Sequence, residues 1–175
     1  MRDGGAEGQV VVTGGFGLDR LNALPDERAG AVLHACCASP AWVRRLVAGR
    51  PYSNAEALYA AADAALADLS ERDVDEALAG HPRIGDRPRN ASSRREQSGL
   101  AGADEHMLER LAEANRAYEE RFGHVYLVCA TGRSADEMLA IARDRLGNDP
   151  TTERRIVRAE LGKINRIRLE RLCTQ

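Results

Sequence analysis

Residues 81–85 read His-Pro-Arg-Ile-Gly, and a Ser93-x-x-Glu96-Gln97 segment follows a short way on. An imidazole that can titrate near neutrality stands beside a proline that fixes the backbone. An acid and an amide then sit together, able to ionise and to both donate and accept hydrogen bonds. Such a set suits proton handling on a small polar substrate. Each residue also has a plainer reading. His81 can satisfy the last carbonyls of a helix, and Pro82 can stop one. Ser93 and Glu96 have the spacing of a capping box, and a helix N-terminus there would present free N–H groups to an anion.

Two further features add to the set. Val128-Cys129-Ala130-Thr131-Gly132 reads as a buried extended run ending in a turn, whose backbone groups could pair with a ligand. Arg168 falls in register with Val157, Leu161, Ile164 and Leu172. It is either an arginine whose stem packs while its head reaches water, or a buried cation paired with Glu96 or a substrate carboxylate.

The elements that position these residues read as helices. Ala, Leu and Arg are abundant and β-branched runs are scarce. Helices are expected over 18–23, 26–37, 40–48, from a Ser53/Glu56 capping box to about 69, and from a Ser70/Asp73 box to about 80. Others are expected over 104–121 before Gly123, from a Ser134/Glu137 box to 147, and from Thr151 to about 172. The polar stretch 83–92 reads as a loop, and Glu96 begins or follows a helical turn. The expected architecture is all-α, a single compact bundle of about eight helices over 15–175, after a flexible Gly-rich lead-in over 1–14.

Composition narrows the function classes. At 175 residues the chain suits one domain with a real core. A net charge of -2 gives no electrostatic case for nucleic acid or an anionic membrane, and 4% aromatics make base-stacking platforms improbable. The adjacent Cys36 and Cys37, with Cys129 and Cys173, fit neither a zinc half-site nor a disulfide framework. Reduced thiols near a helix core face are expected, with no metal and no cofactor. No apolar leader, no span of ~20 apolar residues and no peroxisomal address is present, so a cytoplasmic location is the expectation.

The motifs in order resemble the family of 2-oxo-4-hydroxy-4-carboxy-5-ureidoimidazoline (OHCU) decarboxylases. The resemblance runs through Leu21-Asn22-Ala23-Leu24-Pro25, Ala35-Cys36-Cys37, Gly49-Arg50-Pro51-Tyr52, His81-Pro82-Arg83-Ile84-Gly85 and Glu96-Gln97-Ser98-Gly99-Leu100. It continues in Phe122-Gly123, Gly132-Arg133-Ser134, Leu146-Gly147-Asn148, Glu160-Leu161-Gly162-Lys163-Ile164 and Arg168-Leu169. The chain departs from the family's usual pattern after Phe122-Gly123, where it reads His-Val-Tyr. The resemblance implies a compact helical bundle, cofactor-free decarboxylation of OHCU to (S)-allantoin in uric acid degradation, and a homodimer. It implies His81 as catalytic acid/base with Glu96 beside it. Pro82, Ser93, Gln97, the segment Val128, Cys129, Ala130, Thr131 and Gly132, and Arg168 are the substrate contacts it suggests. Two alternatives stay open: a non-enzymatic helical interaction module, and a hydrolase acting on a neighbouring ureide.

Overall fold

A computed structural model describes residues 17–86 and 91–174. The lead-in expected over 1–14, and part of the polar stretch after Asp86, lie outside the described residues. Among the described residues there are nine α-helices and no strand. They are α1 (Leu18–Ala23), α2 (Asp26–Cys36), α3 (Pro40–Ala48), α4 (Ala55–Ala67), α5 (Glu71–Ala79), α6 (Ala91–Glu96), α7 (Glu105–Phe122), α8 (Ala135–Arg145) and α9 (Pro150–Thr174). A 3-10 turn, Ser98–Leu100, follows α6. The helix beyond the expected eight is α6, which begins inside the stretch that reads as a loop.

Local side-chain chemistry sets most boundaries. Capping boxes open α5 (Ser70, Asp73) and α8 (Ser134, Glu137), as the spacing predicts. Gly123 ends α7 in the left-handed region, with φ 77°. Two expected starts are displaced. Asn54, not Ser53, caps α4 by accepting from Ala57 N–H, and Glu56 reaches out to Arg166 instead. Asp149 accepts from Thr151 and Thr152 N–H, so α9 begins at Pro150 rather than at Thr151.

The helices enclose two apolar cores. The larger is built from α1 to α5 with α9, where α4 packs along α9 and α3 bridges α2, α4 and α5. Cys36 and Cys37 are buried there as free thiols, and burial raises the Cys36 pKa to about 12. The smaller core lies between α7 and α8.

The extended segment 125–130 separates them, and its side chains alternate. Leu127 and Cys129 enter the larger core, whereas Tyr126, Val128 and Ala130 enter the smaller. A charged network fixes this seam. Arg145 donates to the Leu127 carbonyl at 2.7 Å and through Nε to Glu153 at 2.8 Å. Tyr118 and Asn148 also donate to Glu153, the former through a very short bond. Both members of the Arg145–Glu153 pair are buried. Removing one partner alone would leave an uncompensated interior charge.

Two of the motif blocks form a purely structural staple. Asn22 and Tyr52 exchange side-chain and backbone hydrogen bonds at 2.9 Å each, and Arg50 donates to the carbonyls of Leu21 and Leu24 at 2.7 Å. A Cβ on Gly49 would stand 2.6 Å from the Tyr52 hydroxyl, so the block needs glycine there.

Candidate active site

The loop 81–86 leaves the C-terminus of α5 and is pinned at each step. Gly80 closes the helix, and His81 N–H still donates to Leu78 at 2.9 Å. Arg83 forms a two-pronged pair with Glu119 of α7 at 2.6 and 2.8 Å. Ile84 is buried, and its carbonyl accepts from Asn115 at 2.8 Å. Gly85 has φ 93° and donates to the Gln97 side chain at 3.1 Å. Gln97 in turn donates to the Arg83 carbonyl at 3.4 Å.

His81 is therefore set between two spaces. An open outer cleft of about 1080 Å³ is lined by Asp75, Arg83, Glu119 and His124 among others, with His81 and Pro82 at its base. Behind them is an inner cavity of about 20 Å³, bounded by His81, Pro82, Ile84, Ser93, Glu96, Gln97, Tyr126, Val128, Ala130 and Ile164, with Leu127 also at its edge. His81 and Pro82 belong to both walls.

Glu96 is the last residue of α6 and Ser93 lies inside that helix, with its carbonyl accepting from Gln97 N–H at 3.0 Å. This corrects the capping-box reading: α6 is Ala91–Glu96, so Ser93 stands inside the helix and Glu96 at its end rather than at its start. Glu96 instead faces α9. Arg168 donates to it through Nε at 2.7 Å and through Nη2 at 2.9 Å, each side chain 10% exposed. The third Arg168 nitrogen donates to the Cys36 carbonyl at 3.1 Å. Ser92 adds a hydroxyl at 3.1 Å, and Arg171 stands 3.7 Å away. Of the two roles open for Arg168, the structure has the buried pair with Glu96.

The electrostatics follow from this packing. Burial would raise the Glu96 pKa, but the hydrogen bonds and charge of Arg168 and the Ser92 hydroxyl outweigh it and hold the carboxyl below its ordinary value. Burial first, and then the Arg168 charge, outweigh the opposite pull of Glu96 at His81 and lower its pKa to about 4. His81 is thus neutral at physiological pH. This corrects the expectation of an imidazole that changes charge between pH 5 and 8.

The segment Val128 to Gly132 divides. Val128 and Ala130 line the cavity, and among the described residues nothing pairs with Val128 N–H, Val128 C=O or Ala130 N–H. Cys129 points away, its N–H donating to Glu160 at 2.7 Å and its carbonyl accepting from Arg133 at 3.1 Å. Thr131 and Gly132 are exposed in the turn, where Gly132 has φ 78°.

The family model described as OHCU decarboxylase matches residues 22–170. The chain belongs to the OHCU decarboxylase family. It is 30% identical over 151 residues to 2-oxo-4-hydroxy-4-carboxy-5-ureidoimidazoline decarboxylase of Amia calva, covering 82% of this chain and 85% of that one. It is also 30% identical over 145 residues to the uric acid degradation bifunctional protein TTL of Arabidopsis thaliana, covering 78% of this chain and 45% of that longer protein. Among solved structures, a crystal structure of OHCU decarboxylase in the presence of (S)-allantoin matches with a TM-score of 0.74 at 30% identity. That match covers 87% of this chain and all of the other.

Within this family member, the structure brings His81, Pro82, Ser93, Glu96, Gln97, Val128 and Ala130 to one cavity, with Arg168 behind Glu96. It leaves Cys129, Thr131 and Gly132 off that wall. Sequence reasoning missed Arg145, Glu153 and Glu160, which hold the extended segment. A signal existed. Glu153 extends the stripe of Val157, Leu161 and Ile164 by one turn, and Arg145 follows Met138 and Ala142 on the buried side of α8. Among the described residues no three His, Cys, Asp or Glu side chains gather as a metal site.

Proposed function

We propose that this chain decarboxylates OHCU to (S)-allantoin without a cofactor. The observation that carries the reading is the convergence on one cavity of a neutral imidazole, a carboxylate–guanidinium pair and the open backbone edge of Val128 and Ala130. The substrate carries a C=N bond next to the carbon that loses its carboxylate. The pair released with carbon dioxide passes into that system, which is therefore its own electron sink. The nitrogen takes a proton from solvent. The neighbouring hydroxyl then loses its proton as it becomes a carbonyl, and a proton is added to the former imine carbon. Neutral His81 suits both halves of that transfer: it accepts from the hydroxyl and returns the proton to one face of the carbon.

Glu96 is ionised and held by Arg168, so its part is to orient the hydroxyl or His81 and to stabilise the imidazolium. Ile84, Tyr126, Val128 and Ile164 give the cavity apolar walls, which favour carbon dioxide over the anion. His81 and Pro82 border both spaces, so entry is from the outer cleft past them; at about 20 Å³ the inner cavity has room for about one water, and this reading requires it to widen around the substrate.

The test is freshly generated OHCU followed by circular dichroism, with carbon dioxide counted in parallel. A decarboxylase gives one carbon dioxide per turnover and an excess of (S)-allantoin. A hydrolase or a binding module gives no carbon dioxide beyond the uncatalysed decay. We also infer a homodimer and a cytoplasmic location. The four free cysteines support the latter. Leu108, 37% exposed, is the one exposed large hydrophobic side chain among the described residues, so the dimer interface would be mostly polar. Light scattering at the 19.0 kDa chain mass would refute the dimer.

A further inference from the structure

We propose that Glu160 is a positioning residue that turns the backbone edge of Val128 and Ala130 toward the substrate. The proposal rests on the decarboxylase reading and deepens it. In an extended chain, the N–H and C=O of one residue point to the same side, and those of the next residue point to the other. On the odd edge three polar groups are taken by side chains: Leu127 C=O by Arg145 at 2.7 Å, Cys129 N–H by Glu160 at 2.7 Å, and Cys129 C=O by Arg133 at 3.1 Å. The even edge, Val128 N–H and C=O with Ala130 N–H, has no partner among the described residues and borders the cavity. Among the described residues no strand pairs with this segment to fix its orientation.

Glu160 is only 7% exposed and lies one turn before Ile164, which lines the same cavity. Lys163 at 2.6 Å balances its charge from the solvent side. Its carboxylate is an acceptor only, so the bond from Cys129 N–H has one polarity. Rotating the segment would leave Glu160 Oε2 and the buried Cys129 N–H without each other, with only Oε1 still held by Lys163. The free edge offers a carbonyl acceptor and an N–H donor two residues apart. That pair is complementary to the adjacent N–H and C=O of a cyclic ureide, as in strand addition.

The test compares Glu160→Leu, Glu160→Gln and Glu160→Asp in the full chain. Each variant is assayed for KM and kcat with OHCU, for affinity for (S)-allantoin by calorimetry, and for folding by circular dichroism. Glu160→Leu removes the acceptor and should raise KM roughly tenfold or more, with kcat within about threefold of the parent. Glu160→Gln keeps an acceptor and should restore KM to within about threefold. A folded Glu160→Leu protein with unchanged KM and allantoin affinity would overturn the proposal. So would a Glu160→Gln protein as impaired as Glu160→Leu, or a loss confined to kcat. If Glu160→Leu does not fold, Glu160→Asp decides. Its carboxylate reaches one methylene less far, so KM should rise in the folded protein, and an unchanged KM overturns the proposal. If the parent releases no carbon dioxide from OHCU, the decarboxylase reading has failed. The positioning role then stands or falls on whether Glu160→Leu weakens (S)-allantoin binding.

Discussion

Replacing Arg168 by methionine removes the cation from a carboxylate that stays buried. Glu96 is 10% exposed and takes two charge-assisted bonds from Arg168 at 2.7 and 2.9 Å. Breaking a buried pair from one side costs about 3–5 kcal/mol. Arg171 at 3.7 Å and the Ser92 hydroxyl remain, so the low end, about 3 kcal/mol, is expected at pH 7.5. The pH dependence gives a second check. In the parent the Glu96 pKa is lowered, so its contribution to stability is full above the ordinary carboxylate value and is lost as pH falls through the lowered one. In Arg168→Met the burial that raises the pKa is no longer outweighed. The carboxyl then destabilises the fold at high pH, and acid relieves it by protonation. The stability gap between parent and variant should therefore shrink as pH falls from 7.5 to about 4.5. Urea unfolding at each pH measures the gap. A cost under about 1 kcal/mol at pH 7.5, or a gap that does not narrow in acid, would show that solvent screens this pair and refute the reasoning.

Three further outcomes follow from the site. His81→Asn should fold, bind (S)-allantoin, and lose about 10²–10⁴-fold in turnover together with control of the product enantiomer, read by circular dichroism; an active variant still yielding only (S)-allantoin would remove His81 from the chemistry. In the parent, kcat/KM should rise with pH through about 4 as His81 becomes neutral and then stay flat from pH 5 to 8, whereas a limb near the ordinary histidine value would contradict the half-buried, neutral imidazole. Glu96→Gln should lower turnover steeply, whereas EDTA dialysis should leave the parent's activity unchanged; near-normal turnover in the variant, or loss on dialysis restored by a divalent metal, would each count against the proposed chemistry.

The sequence carries the helical frame well because caps and apolar periods are local signals. Ser70, Asp73, Ser134 and Glu137 state their helix starts outright. Arg168 is legible because a charge on an apolar stripe demands a partner, and Glu96 supplies it. Ser93 and Glu96 mislead for a definite reason: a spacing of three fits a helix interior as well as a capping box, and only the start at Ala91 separates the two. The depressed His81 pKa is not legible, since it comes from burial and from a guanidinium 87 positions later in the chain. Gln97 reads as a free amide but is partly spent on Gly85 N–H and the Arg83 carbonyl. Gly99 has an equally non-local reason: a Cβ there would stand 1.9 Å from the Arg133 carbonyl, so the turn after α6 rests directly on the chain that follows the extended segment.

The alternation along residues 126–130 makes the seam intolerant of length changes. One residue inserted or deleted there would exchange every side chain between the two cores and, at the same step, turn the opposite set of amides toward the cavity. Packing and recognition would fail together, and no compensating substitution at a single position could restore both. Past Ala130 the alternation ends, because Thr131 and Gly132 are exposed and enter neither core. The span between Tyr126 and Ala130 is therefore fixed by counting rather than by the identity of any one residue.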